Sequence, residues 1–234
     1  MAEESIAYDL VIPTVGRGSL AALLRGLGAG DGPLPGRILL VADGSAADRL
    51  PVPEELPPAL GERVTVLPGC SGGPAAARNV GWRASHADWV VFLDDDVIPA
   101  PGWRRLLADD LVHLDARVAG SQGRIEVPRS ANRAATDWER NVAGLERARW
   151  ATADMAYRRA ALATVGGFDE RFTRAYREDA DLALRIQRSG RQLVRGSRAV
   201  RHPVRPAGRW ISLRVQAGNA DDVLMWALHG SCWR

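Results

Sequence analysis

The sequence predicts an α/β fold, with a mostly parallel sheet flanked by helices in a single domain. Three observations carry that expectation. Short uninterrupted apolar runs recur through the first half of the chain, and segments with helical spacing separate them. The run Trp89–Leu93 then passes straight into Asp94, Asp95 and Asp96. An apolar run without polar alternation reads as a strand buried on both faces, as in a parallel sheet covered by helices. Acids at its carboxyl end sit where open α/β sheets place their ligands.

In chain order, residues 7–13 are the first expected strand, stopped by Pro13, and 19 to about 27 a helix with Ser19 as N-cap. Residues 37–42 are a second buried strand, ending at the turn signal Asp43-Gly44-Ser45. Residues 50–60 carry four prolines and read as a surface loop. A third strand, 63–67, leads through a glycine-rich loop into an Ala-rich helix, 75–85, with Pro74 suited to its first turn. After Trp89–Leu93 come a helix at about 102–114, a strand at 118–127, and a helix at 134–149 with Trp138, Val142 and Leu145 on one face. Residues 152–157 are extended, and 158–165 form a short helix closed by Gly166-Gly167. A loop at 171–177, a helix at 179–189 ended by Gly190, and a strand at 197–201 running to His202-Pro203 complete the pattern. Strands alternating with helices imply βαβ units.

At 234 residues the chain suits one domain and hardly two. No segment approaches the ~20 apolar residues of a membrane span. The acidic start Met1-Ala-Glu-Glu-Ser does not resemble a signal peptide, so a cytoplasmic location is expected. Cys70 and Cys232 are isolated thiols that support neither a disulfide framework nor a zinc site. Arg carries all the side-chain positive charge, with no Lys, and the net charge of +3 is too small to imply nucleic acid. Residues 185–214 are Arg-rich with few acids, which suits a phosphate or an acidic membrane surface, or a plain solvated face. Residues 204–234 read as a helical extension that stops just after a helical pattern, which admits truncation. Its apolar stretches are expected in core or homo-oligomer packing, ahead of peripheral membrane contact.

Two readings compete for the first hundred residues. Gly16-Arg-Gly18-Ser-Leu-Ala21 between a strand and a helix, with Asp43 ending the next strand, fits the glycine pattern of an NAD(P)-dependent oxidoreductase. Pro13-Thr14-Val15 intervene before the first glycine, however, and that reading leaves Asp94–Asp96 and Gly72-Gly73 without a role. The other reading uses all of these pieces. Val11-Ile-Pro-Thr14, Val41-Ala-Asp43-Gly-Ser45, Gly72-Gly-Pro-Ala-Ala-Ala-Arg78-Asn79, Phe92-Leu-Asp-Asp-Asp96, Gly166-Gly-Phe-Asp-Glu170 and Arg177-Glu-Asp179-Ala-Asp-Leu182 follow one another in order. In that order and spacing the sequence resembles the family-2 glycosyltransferases, inverting enzymes of the Rossmann-like GT-A fold that take sugar from a nucleotide diphosphate. The resemblance implies a domain over 1–203, with a nucleotide-binding half at about 1–100 and an acceptor-side half at 101–203.

The resemblance also implies roles. Pro13, Thr14 and Asp43 would contact the nucleoside, with Asp43 hydrogen-bonding the base unless it is only a turn acid. Gly72 and Gly73 would let backbone approach the nucleotide at a helix start, where amide dipoles favour anions. Arg78 would contact phosphate or merely snorkel. Asp94 and Asp96 match the two acids of the D-x-D motif, with Asp96 a metal ligand and Asp94 or Asp95 holding ribose. His202 matches a further metal ligand of some relatives. The implied cofactor is Mn²⁺ or Mg²⁺, stabilising the departing diphosphate as a Lewis acid. Asp179 matches the catalytic base, with Glu178 in reserve. Asp154 stands where relatives often carry an Asn near the donor sugar. The implied partners are a UDP, GDP or dTDP sugar and a hydroxyl acceptor, with no nucleic acid. A binding protein without transfer and a nucleotidyltransferase are the alternatives; the glycine-Lys triphosphate loop of the latter is absent.

Overall fold

The strands are β1 (Tyr8–Thr14), β2 (Ile38–Ala42), β3 (Val64–Leu67), β4 (Trp89–Leu93), β5 (Ile98–Pro99), β6 (Val118–Glu126), β7 (Asp154–Arg158) and β8 (Gln192–Arg201). The helices are α1 (Ser19–Ala29), α2 (Pro74–Ala84), α3 (Trp103–Val112), α4 (Asp137–Ala143), α5 (Arg159–Val165), α6 (Glu178–Arg188) and α7 (Asn219–His229). This computed structural model describes residues 6–43, 56–69, 71–129, 132–208, 211 and 216–233. The expected turn at Gly44-Ser45, the start of the proline-rich loop, Cys70, the side chain of Cys232 and most of the apolar stretch 210–215 lie outside the described residues.

The strands form one mixed sheet in the order β3-β2-β1-β4-β7-β6-β8-β5. The pairs β3-β2, β2-β1 and β1-β4 are parallel, as the βαβ pattern predicts. Beyond β4 the pairing turns antiparallel through β7 and β6, becomes parallel again at β6-β8, and closes antiparallel at β5.

The apolar runs are uninterrupted because alternate side chains enter two different cores. Leu10, Ile12, Leu40, Val91 and Leu93 pack with Leu20, Leu23 and Leu27 of α1 and Trp103 and Leu107 of α3. Val11, Leu39, Val41, Val90 and Phe92 pack on the opposite face with Trp82 of α2, Leu162 of α5 and Leu182 and Ile186 of α6. No polar alternation is left because neither face meets water.

Local chemistry shifts several expected boundaries. Ser19 is the first residue inside α1 and not its cap; Gly18 occupies the N-cap, and the Ser19 hydroxyl is buried without a partner among the described residues. The helix expected to reach residue 149 ends at Ala143, and a 3₁₀ turn begins at Gly144. Its start is fixed by a capping box in which Thr136 accepts from the Glu139 amide while the Glu139 carboxylate accepts from the Thr136 amide. Among the described residues no helix is long and apolar enough to cross a membrane.

Candidate active site

The carboxyl ends of β1, β2 and β4 share one edge of the sheet, and in front of them lies a cavity of about 760 Å³. Pro13, Thr14, Asp43, Gly73, Arg78, Asp94, Asp95, Asp96 and His202 all line it. The far wall is the segment Thr173–Arg177, and Trp138, Asn141 and Leu145 from α4 and the turn after it close a third side.

Each of the three acids has its own partner set. Asp95 is buried and accepts from the Thr14 hydroxyl at 2.7 Å and from Arg17 Nη1 at 2.8 Å. Thr14 is held in turn by the Gly16 amide, which donates to its Oγ1 at 3.0 Å. The Gly16–Gly18 turn therefore serves to aim Thr14 and Arg17 at Asp95, a use the dinucleotide reading does not supply. Asp94 accepts from Arg78 Nη2 at 2.9 Å. Asp96 lies 3.4 Å from His202 Nε2 and 2.9 Å from Arg205 Nε. Burial pushes the Asp96 carboxyl up, His202 and Arg205 draw it back, and Asp94 and Asp95 push it up further. Burial likewise raises the Asp43 carboxyl, against Arg78 and Arg17.

One ligand atom from each of Asp94, Asp96 and His202 lies within 4.8 Å of the others. Two carboxylates and an imidazole at that spacing are a donor set suited to a divalent first-row cation. His202 Nδ1 is also buried without a hydrogen-bond partner among the described residues, so the site is more polar than the protein alone satisfies. The residues present fit a metal ion.

Two further acids, Glu178 and Asp179, open α6. Glu178 is buried, accepts from Arg78 Nη1 at 2.8 Å, and is pushed up to about 8 by burial, with Asp179 adding to the rise and Arg78 opposing it. Arg78 thus bridges Asp94 and Glu178. Burial works against its charge, yet the two carboxylates more than offset that and raise its pKa. Arg78 is buried between Asp94 and Glu178, not spread along the surface. Asp179 accepts from the Thr152 amide at 3.1 Å; neither it nor Glu178 is among the residues lining the cavity, whose lining on this side stops at Arg177. Gly73 opens α2 at a φ of 84°, and a Cβ there would lie 2.2 Å from the Thr173 carbonyl oxygen, so glycine is what lets the two walls meet. Gly72 is not among the lining residues.

Asp154 does not join the site. Its side chain is fully buried, with Oδ2 accepting from Trp103 Nε1 at 2.7 Å and Oδ1 from Arg198 Nε at 2.8 Å. Both oxygens are committed inside the core, which leaves none for a donor sugar. The sequence reading missed Arg17, Arg205 and Thr152, because each meets its acid across a gap in sequence. Arg17 and Asp95 are 78 residues apart and Thr152 and Asp179 are 27 apart. The nearest local signal was an Arg three residues after His202.

A sequence model described as glycosyl transferase family 2 matches residues 9–184, most of the chain. The chain belongs to that family. Two pre-mycofactocin glycosyltransferases of Mycobacterium tuberculosis, from strains CDC 1551 / Oshkosh and ATCC 25618 / H37Rv, are 37% identical to it over 134 residues. The match covers 53% of this chain and 28% of theirs, so the chain spans little more than a quarter of the length of these curated relatives. Among solved structures, GalNAc-T7 with UDP, GalNAc and Mn²⁺ superposes with a TM-score of 0.64 at 18% identity, covering 88% of this chain and 45% of that one. Staphylococcus aureus TarS 1-349 in complex with UDP-GlcNAc gives 0.60 at 17% identity, over 88% and 61%. The fold is that of the GT-A glycosyltransferases.

Proposed function

We propose that this family 2 chain is an inverting glycosyltransferase that moves a sugar from a nucleoside diphosphate to an acceptor hydroxyl in a single displacement. The observation that carries the reading is one cavity lined both by the Asp94–Asp96–His202 cluster and by Arg177, the N-cap of the helix that Glu178 and Asp179 open. The UDP and UDP-GlcNAc bound by solved relatives support a uridine nucleotide ahead of GDP or dTDP.

On this reading Asp43, at the end of β2, accepts from an N–H of the base, while Thr14 and Arg17 hold Asp95 still beside it. Asp94, Asp96 and His202 would hold Mn²⁺ or Mg²⁺, which supplies Lewis-acid stabilisation of the charge on the leaving diphosphate. The imidazole nitrogen favours Mn²⁺, since Mg²⁺ prefers oxygen donors. Arg17 and Arg205 add fixed positive charge to the same wall. The acceptor oxygen attacks the anomeric carbon from the face opposite the diphosphate. The bond to the diphosphate oxygen breaks with its electron pair, and the acceptor proton passes to the Asp179 carboxylate. Thr152 fixes that carboxylate through its amide.

The test is transfer itself. The purified protein is incubated with UDP-, GDP- and dTDP-sugars, Mn²⁺ and a panel of hydroxyl acceptors, and the product's anomeric configuration is read by NMR. Inversion that is lost in Asp179→Asn is expected. A product that retains configuration, or full turnover by Asp179→Asn, contradicts the mechanism.

A further inference from the structure

Arg177 adopts a φ of 74°, and among the described non-glycine residues it shares a positive φ with Trp150 alone. That region is disfavoured for a residue with a Cβ, which crowds the following carbonyl oxygen. Arg177 is also the N-cap of α6, and its carbonyl accepts from the Asp181 amide at 2.9 Å. Its backbone therefore sets the direction in which Glu178 and Asp179 leave the cavity wall.

Much of what holds this unfavourable conformation comes from the far end of the chain. Arg177 Nε donates to Asp222 Oδ1 at 2.7 Å, and its guanidinium lies 4.9 Å from the centroid of the Trp233 ring. On its other side it lies 4.4 Å from the Tyr176 ring and donates to the Tyr176 hydroxyl at 2.8 Å. Three further contacts join the same two segments. Arg174 pairs with Asp221 at 3.8 Å, and His229 Nε2 reaches Asp181 Oδ1 at 2.8 Å. A Cβ on Gly218 would lie 2.9 Å from the Tyr176 ring, so the segment entering α7 rests directly on that ring. Arg174, Tyr176 and Arg177 all line the cavity wall that faces the acid cluster.

We infer that the C-terminal segment 216–233 is a brace for the acceptor-side wall. It clamps Arg177 in the left-handed conformation and so positions Asp179, which rests on the reading of Asp179 as the general base. Arg177 is a positioning residue in this scheme: its backbone aims the acid, and its side chain is the handle by which α7 holds the backbone. The nucleotide side of the cavity, on β1, β2 and β4, has no part in the brace.

Substitutions at Arg177 separate backbone from side chain. Arg177→Ala loses the side-chain contacts to Asp222 and Trp233 but keeps a Cβ, so the backbone is free to leave positive φ; kcat is expected to fall about thirtyfold with donor KM changed by less than about threefold. Arg177→Gly loses the same side chain but tolerates positive φ, and is expected to hold kcat within about threefold of wild type. Asp222→Ala, with Asp222→Asn as the conservative version, loosens the brace from the other side and is expected to lower kcat about tenfold. Hydrogen exchange at the amides of residues 174–180 is followed in the same proteins and is expected to rise in Arg177→Ala and Asp222→Ala. Equal losses of kcat in Arg177→Ala and Arg177→Gly would overturn the positioning role. Unchanged exchange at 174–180 in both Asp222 variants would overturn the brace. Raised exchange in a protein whose wild type transfers no sugar supports the brace and counts against the general-base reading alone.

Discussion

Asp94 and Asp154 lie almost side by side. Asp154 pairs directly with Leu93 across the β4–β7 ladder, and Asp94 is the next residue along. The Asp94 side chain is 32% exposed and opens on the cavity beside two more acids. Asp154 is at 0% exposure, sealed against an Arg198 that is equally buried. In the first group three acids meet three guanidiniums and an imidazole, but two of those guanidiniums, Arg17 and Arg205, are themselves half in solvent. Screening by that solvent leaves the acids open to a cation from the cavity. In the second, Asp154 meets one indole N–H and a guanidinium that it shares with Asp110, all of it out of solvent. Neighbouring carboxylates acquire opposite roles from their counter-charges and their access to solvent.

The sharpest way to break this contrast is to remove one acid of each kind. Asp179→Asn, at the proposed general base, is expected to cut kcat by about 10²–10⁴ while leaving the urea midpoint nearly unchanged. Asp154→Ala should do the reverse. It leaves Arg198 Nε and Trp103 Nε1 buried without their acceptor, while Asp110 still neutralises Arg198, and is expected to cost about 2–5 kcal/mol of stability by urea unfolding, with nucleotide affinity of the folded protein preserved. A stable Asp154→Ala with lost nucleotide binding would put Asp154 back in the site. Trp103→Phe removes only the indole donor to Asp154 and should cost about 1–3 kcal/mol in the same assay.

A separate effect concerns pH. Glu178 has its pKa raised in the fold from 4.5 to about 8, so the folded protein holds that proton where the unfolded chain releases it. Its contribution to stability is full below about pH 4.5 and is lost as pH rises through about 8, at up to ~1.4 kcal/mol per pH unit in between. Urea midpoints from pH 5 to 9 should therefore fall for wild type relative to Glu178→Gln. A wild type that gains on the variant as pH rises would contradict the assignment.

The half of the molecule that sequence reads well is the half built on buried runs. β1 to β4 lie within about a residue of their expected bounds; in β1, β2 and β4 nearly every side chain is buried, which leaves an unbroken apolar signal. β8 was expected only at residues 197–201, yet it starts at Gln192, because its first half alternates with exposed positions and carries Arg195 and Gly196. β5, with two residues, has no period to detect. The acids of the cavity were legible as a group because they are consecutive in sequence. Their partners Arg17, Arg205 and Thr152 were not, and neither was the burial of Asp154, because those depend on contacts between distant segments. The same holds for α7: its apolar residues marked it as a packing element, but its docking against Tyr176 and Arg177 is set by tertiary contact.

The most direct test of the site is the melting temperature of the protein with Mn²⁺, with UDP, and with both, compared with Asp96→Asn under the same conditions. A ligand at a hundred times its Kd stabilises the folded state by about 2.7 kcal/mol, which is readily visible as a shift. A shift that needs both Mn²⁺ and UDP in wild type, and that disappears in Asp96→Asn, is the predicted result. An equal shift in Asp96→Asn, or a UDP shift indifferent to the metal, would contradict the reading of Asp94, Asp96 and His202 as the metal-bearing face of the site.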